Sequence, residues 1–186
     1  MSDSQLLQKQ DKLQAQAHEV LQDTKLLAIL KEFGKPVIVG SVALGLMVWR
    51  DIDLDVEVDN KFSADDLLKI AKRAFSHGKI KDIRIIDNTT PFEKNRPKSY
   101  YLGIYYQEKG QEKWKVDIRF VKAEDSYAKD YLKEISSKLT PEKIKAILEI
   151  KQAVYQHPEY GKKFSSVDIY EAVLEKGIKS PDEFKF

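Results

Sequence analysis

Several things are absent from this sequence, and each absence removes a class of function. The 186 residues contain no cysteine, which excludes disulfide bonds, thiol catalysis and the commonest zinc ligand. No apolar run approaches the roughly 20 residues of a membrane-spanning helix, and the first residues lack the apolar stretch of a signal peptide. We therefore expect a cytoplasmic protein without a membrane partner.

A strong charge of either sign is also missing. The chain has 32 basic and 30 acidic residues, a net charge of +2, which argues against a sequence-independent nucleic-acid binder. Nucleic acid is therefore not an expected partner. The three histidines, His18, His77 and His157, lie far apart, and we assign them no catalytic role. What remains is an ordinary globular composition, with 42% hydrophobic and 33% charged residues.

The most informative stretch covers residues 36–58. An apolar run from Pro36 to Val39 predicts a short buried strand, and Gly40 and Ser41 predict a tight turn after it. Acidic and apolar residues then alternate, which is typical of a strand with two different faces. One face carries Asp51, Asp53, Asp55 and Glu57, and the other carries Ile52, Leu54, Val56 and Val58.

This row of acids has two interpretations. It is either the solvated face of an amphipathic strand or a magnesium site, because Mg²⁺ is commonly held by one or two carboxylates together with substrate phosphates. Asp51 and Asp53 are the preferred pair, since they lie nearer the Gly-Ser turn. Asp53 and Asp55 have the same spacing and remain the alternative.

The combination resembles the signature of the polymerase-beta-like nucleotidyltransferase superfamily, in particular a minimal or antibiotic-nucleotidyltransferase-like member. That signature is an apolar residue, Gly-Ser, a spacer of about ten residues and Asp-x-Asp with apolar neighbours. The matching residues are Val39, Gly40, Ser41, Asp51, Ile52, Asp53 and Leu54. The family's third carboxylate matches Asp117, which lies in the alternating stretch Val116–Phe120. The resemblance covers about residues 26–122.

The resemblance implies a role for each of these residues. Asp51 and Asp53 would bind one or two Mg²⁺ ions, and Asp117 would bind the second ion or act as the base toward the acceptor. Gly40 and Ser41 would hold the terminal phosphates of a nucleotide. Further candidates for nucleotide contacts are the basic residues of the polar loop 88–99 and one on the strand of Asp117, namely Lys94, Arg96, Lys98 and Arg119.

The implied function is transfer of a nucleoside monophosphate from a nucleoside triphosphate, with ATP as the expected donor. The acceptor would be a hydroxyl of an unidentified small molecule or protein. The alternative is a non-catalytic nucleotide- or partner-binding module of the same fold, such as a toxin-neutralising protein. Since the chain keeps all three acids, the sequence favours the enzyme.

The expected fold is α+β, with a small mixed nucleotidyltransferase sheet flanked by helices. Strands are predicted over residues 36–39, 51–58, 79–87, 100–107 and 112–122. Helices are predicted near residues 1–33, 63–76 and 125–137, and from 141 and 166 onward. We expect residues 1–122 to form the nucleotidyltransferase-like domain with its N-terminal helices. Residues 123–186 would form a helical subdomain along one wall of the cleft.

Overall fold

A mixed five-stranded sheet is the centre of the computed structural model, which describes residues 3–90, 98–126 and 128–186. The strands are β1 (Lys35–Val39), β2 (Asp51–Val58), β3 (Ile80–Asp87), β4 (Tyr100–Tyr106) and β5 (Trp114–Lys122). The α-helices are α1 (Asp3–Asp23), α2 (Leu26–Lys31), α3 (Gly40–Leu44), α4 (Ala64–Phe75), α5 (Ala128–Lys138), α6 (Pro141–Val154) and α7 (Ser166–Leu174). A 3₁₀ turn, Ala123–Asp125, lies between β5 and α5.

The order of the strands differs from their order in the sequence. Across the sheet the strands run β1-β2-β5-β4-β3, and β2 pairs with β5 in parallel while the other neighbours are antiparallel. Every predicted strand is present, with ends shifted by at most two residues. The predicted α+β fold with a small mixed sheet and flanking helices is confirmed.

One face of the sheet is apolar and carries the main core. Ile52, Leu54 and Val56 of β2 are 0–1% exposed and pack with Val116 and Ile118 of β5. Their partners across the core come from α1, α2 and α4, and include Ala17, Leu30, Leu67 and Ile70. Strict alternation therefore places the apolar residues against these helices and leaves the opposite face of β2 for the acids.

A second core joins the C-terminal helices to the segment after α3. Leu46 and Val48 pack with Ile147, Leu148 and Ile169 of α6 and α7. This packing places α6 and α7 beside the Gly-Ser turn at the start of α3. The division into domains 1–122 and 123–186 remains a prediction.

None of the helices in residues 3–90, 98–126 and 128–186 has the length and apolar character needed to cross a membrane.

Candidate active site

The parallel pairing of β2 with β5 brings the predicted acids together. Asp53 is the register partner of Asp117, and Asp51 is the register partner of Lys115. Residues paired across neighbouring strands point to the same face of a sheet. Asp51, Asp53 and Asp117 therefore lie on one face, opposite to the face on which Ile52 is buried.

The Gly-Ser turn lies directly against one of these acids. Gly40 follows β1 and has a φ of +61°, in the left-handed region that glycine adopts at little cost. A Cβ atom at this position would overlap the carboxylate of Asp53. Val39, the last residue of β1, pairs with Asp53 across the β1–β2 ladder and so fixes the turn at this point. Only glycine permits both the backbone conformation and the close approach.

The carboxylates of Asp51, Asp53 and Asp117 repel one another in a desolvated environment. Both Asp51 and Asp53 are only partly exposed. Burial raises the pKa of Asp53 to about 8, and the charges of Asp51 and Asp117 act in the same direction. Burial also raises the pKa of Asp51, against the attraction of Lys115. A cation bound between these acids would offset both the burial and the repulsion, since it favours the ionised carboxylates.

The third acid is already held by two protein donors. The hydroxyl of Tyr101 donates to Asp117 Oδ1 at 2.6 Å. Lys115 Nζ donates to Asp117 Oδ2, also at 2.6 Å, and forms an ion pair with it. Burial and this contact with Asp117 raise the pKa of Tyr101, so its hydroxyl stays protonated and donates.

The residues fit a magnesium ion held by two carboxylates. Asp51 Oδ1 is buried and has no hydrogen-bond partner within the described parts of the chain, which is costly unless a ligand satisfies the oxygen. Asp53 supplies a second desolvated carboxylate on the same face. Across residues 3–90, 98–126 and 128–186 no three histidine or acidic side chains form a group that could hold a metal. Asp51, Asp53 and Asp117 as a set of three metal ligands therefore remain a prediction.

A buried lysine contacts the Gly-Ser turn. Lys151 of α6 is 0% exposed, and its Nζ donates to Ser41 Oγ at 2.6 Å and to the carbonyl of Leu46 at 2.7 Å. The hydroxyl of Tyr170 lies 3.3 Å from both the lysine and Ser41. Burial lowers the pKa of Lys151 to about 7, although the charges of Asp53 and Asp51 oppose the shift.

Two residues predicted to contact the nucleotide, Arg119 and Lys98, have other neighbours in the structure. Arg119 makes a two-point contact with Asp55, with Nε–Oδ1 at 3.0 Å and Nη2–Oδ2 at 2.7 Å. Asp55, the alternative metal ligand, is 2% exposed and is therefore neutralised by an internal partner. Lys98 lines a cavity with Val58 and Lys122, at the ends of β2 and β5 remote from Asp51. Lys94 and Arg96 lie outside the described residues.

Four residues of the site did not emerge as candidates from the sequence: Tyr101, Lys115, Lys151 and Tyr170. Lys151 left a signal, because it falls on the apolar face of the helix that begins at Pro141. A lysine at such a position needs an internal partner. Lys115 and Tyr101 alternate with buried residues on their strands, as many surface residues do, so only the strand register reveals their contact with Asp117.

The fold has known counterparts, although no protein-family model and no curated protein matches this chain. Cid1 poly(U) polymerase with MgGTP bound superposes with a TM-score of 0.64 at 19% identity, over 88% of this chain and 50% of that chain. A cytoplasmic RNA terminal U-transferase gives 0.56 at 17% identity, over 88% and 54%. Cid1 in complex with its short product ApU gives 0.56 at 16% identity, over 88% and 54%. This chain spans about half the length of each.

These neighbours define the class of fold. They belong to the polymerase-beta-like nucleotidyltransferase superfamily, so the resemblance predicted from the sequence is confirmed at the level of the fold. By name they act on RNA or are bound to a magnesium nucleotide or to a short RNA product. The expectation that nucleic acid is no partner therefore finds no support among them.

Proposed function

We propose that this chain is a magnesium-dependent nucleotidyltransferase that moves a nucleoside monophosphate from a nucleoside triphosphate to an acceptor hydroxyl. The observation that carries the proposal is the contact between Gly40 and the carboxylate of Asp53. It places the Gly-Ser turn directly beside a desolvated acid. The nucleotidyltransferase fold and the neighbours that bind magnesium nucleotides support the same assignment.

Each side chain has a role in the proposed reaction. Asp51 and Asp53 would hold Mg²⁺, which would supply positive charge to neutralise the phosphates in an in-line displacement. Lys151 donates to Ser41 Oγ, so the serine proton can be donated either to Tyr170 or to a bound phosphate. The acceptor oxygen forms a bond to the α-phosphorus, the bond to the β-phosphate oxygen breaks, and pyrophosphate leaves. Asp117, once Lys115 moves away from Oδ2, would take the acceptor proton; if Asp117 instead binds a second ion, that proton would pass to solvent.

Donor and acceptor are proposed at different levels of detail. The donor is a nucleoside triphosphate, with ATP as the first to test. A small-molecule or protein hydroxyl is the acceptor suggested by the near-balanced charge of the chain. The names of the structural neighbours make an RNA 3′ hydroxyl the competing acceptor.

A second candidate function is a non-catalytic binding module of this fold. The observation that favours it is the state of Asp117, both of whose carboxylate oxygens accept hydrogen bonds from Tyr101 and Lys115. In a purely binding protein this arrangement would be permanent.

Transfer of label from a triphosphate tests the proposal. Each of the four α-labelled ribonucleoside triphosphates is incubated with Mg²⁺ and a panel of acceptors: RNA oligomers, polyhydroxylated small molecules and proteins. We expect pyrophosphate release and labelling of one acceptor class. Asp51→Asn and Asp53→Asn should abolish both, because they remove charge that binds the metal.

The matched control is Asp82→Asn, which removes an exposed carboxylate from β3 of the same sheet and should leave the rate unchanged. A double variant lacking the Asp51 and Asp53 carboxylates that keeps full biological activity would support the binding module instead.

A further inference from the structure

Lys115 is a positive charge built into a site that the proposed function assigns to a metal ion. It lies opposite Asp51 in the β2–β5 register, and its ammonium group contacts Asp117 at 2.6 Å. Its charge also acts on Asp51 and Asp53. The ammonium group of Lys115 therefore attracts all three acids of the candidate site.

The contact with Lys115 determines which acids are available to a metal. Tyr101 and Lys115 together occupy both oxygens of Asp117. Asp51 Oδ1, by contrast, is buried and lacks a hydrogen-bond partner among the described residues. The resting site therefore offers a metal the unpartnered Oδ1 of Asp51, whereas both oxygens of Asp117 are engaged, in agreement with the absence of a three-ligand group from the described residues.

The Lys115 side chain can leave this position. It is 41% exposed, whereas the Asp117 side chain is 23% exposed. A lysine ammonium group sits on a flexible four-carbon stem and is readily hydrated, so rotation toward solvent needs no change in the backbone.

We propose that Lys115 competes with a divalent cation for Asp117, so that the resting protein binds one ion through Asp51 and Asp53. A second ion, or a ligand role for Asp117, requires the ammonium group to move away. This inference rests on the proposed function, because it concerns the metal of that site. It adds a residue that regulates how many ions the site holds.

Calorimetric titration of the full chain with Mn²⁺, in the absence of nucleotide, tests this inference. Lys115→Gln should bind Mn²⁺ about tenfold more tightly than the wild type, the scale on which groups around a metal site alter affinity. Lys113→Gln is the matched control: it removes the same charge two residues away, from an exposed position. Its affinity should equal that of the wild type. Lys115→Arg keeps the charge and should show no gain.

A second substitution identifies the acid responsible. If the gain comes from the release of Asp117, it should disappear in the double variant Lys115→Gln, Asp117→Asn. Lys115→Met provides an independent replacement in case the glutamine variant is unstable, and thermal unfolding checks that each variant folds.

The outcomes separate the inference from the function on which it rests. Equal or weaker Mn²⁺ binding by both Lys115→Gln and Lys115→Met, with binding by the wild type intact, overturns the competition and leaves the proposed function standing. A gain that survives Asp117→Asn also overturns it. If neither the wild type nor any variant binds Mn²⁺, both proposals fail together.

Discussion

Gly40, directly after β1, lies against the side chain of Asp53 on the neighbouring strand β2, and a Cβ atom at position 40 would overlap the carboxylate. The φ of Gly40, +61°, is unfavourable for other residues as well. Gly40→Ala should lower the free energy of unfolding by about 1–3 kcal/mol and displace Asp53. The expected result is a larger loss of Mg²⁺-dependent activity than the change in stability explains.

Gly78→Ala is the control for this substitution, since position 78 has open space around it and no positive φ. Chemical denaturation and label transfer measure the two effects. A Gly40→Ala variant with wild-type activity would show that the close contact has no functional importance.

The metal-free site should destabilise the fold when Asp53 ionises. An acid whose folded-state pKa is about 8, against about 3.9 when unfolded, costs stability that grows as pH rises through this interval. In the presence of EDTA, Asp53→Asn should therefore raise Tm relative to the wild type, and by more at pH 8 than at pH 5. Differential scanning calorimetry at both pH values checks the sign. An equal Tm difference at both would contradict the proposed electrostatic strain.

Asp55 and Arg119 should act in stability and not in metal binding. Asp55 is 2% exposed, and removing its partner would leave an unpaired buried charge. Arg119→Met should cost about 3 kcal/mol of folding free energy. The double replacement of Asp55 and Arg119 by leucine should recover most of this loss, because no buried charge remains.

Metal binding provides the contrasting measurement for this pair. Asp55→Asn, assayed below its melting temperature, should keep Mg²⁺-dependent nucleotide binding. Loss of that binding in a folded Asp55→Asn protein would favour Asp53 and Asp55 as the metal pair.

Lys151 should affect nucleotide affinity more than stability. Lys151→Met removes the donor that orients Ser41 and should weaken triphosphate binding by about tenfold or more, the worth of one charged hydrogen bond. The folded-state pKa of Lys151 is lowered from 10.5 to about 7, so its protonation costs stability as pH falls through that range. We therefore expect the Tm of Lys151→Met at pH 7 to change little, while its affinity for the triphosphate falls. Ser41→Ala is the comparison, and a variant pair with unchanged affinity would count against this role.

The local features of the site could be predicted from the sequence because they follow from short spacings. Alternation over residues 51–58 placed the acids on one face, and Gly40 and Ser41 identified the turn. Asp117 could be found by the same alternation on its own strand. The fold class followed from the order of apolar runs and the family resemblance.

Contacts between distant elements could not be predicted in this way. The sequence does not reveal that Asp53 pairs with Asp117, because that register depends on a parallel pairing across the whole of α4, β3 and β4. For the same reason the sequence predicts a nucleotide contact for Arg119 and does not reveal its contact with Asp55. The basic character of its loop predicts a place for Lys98 in the site, but Lys98 lies beside Val58 and Lys122, at the ends of β2 and β5 remote from Asp51.

The most direct test of the account is the Mg²⁺ dependence of nucleotide binding at Asp53. Calorimetric titration with a non-hydrolysable ATP analogue compares the wild type, Asp53→Asn and the Asp82→Asn control, each with Mg²⁺ and with EDTA. We predict binding that requires Mg²⁺, falls at least tenfold in Asp53→Asn and is unchanged in Asp82→Asn. Binding of equal strength in EDTA, or in Asp53→Asn, would contradict the assignment of Asp51 and Asp53 to a metal–nucleotide site.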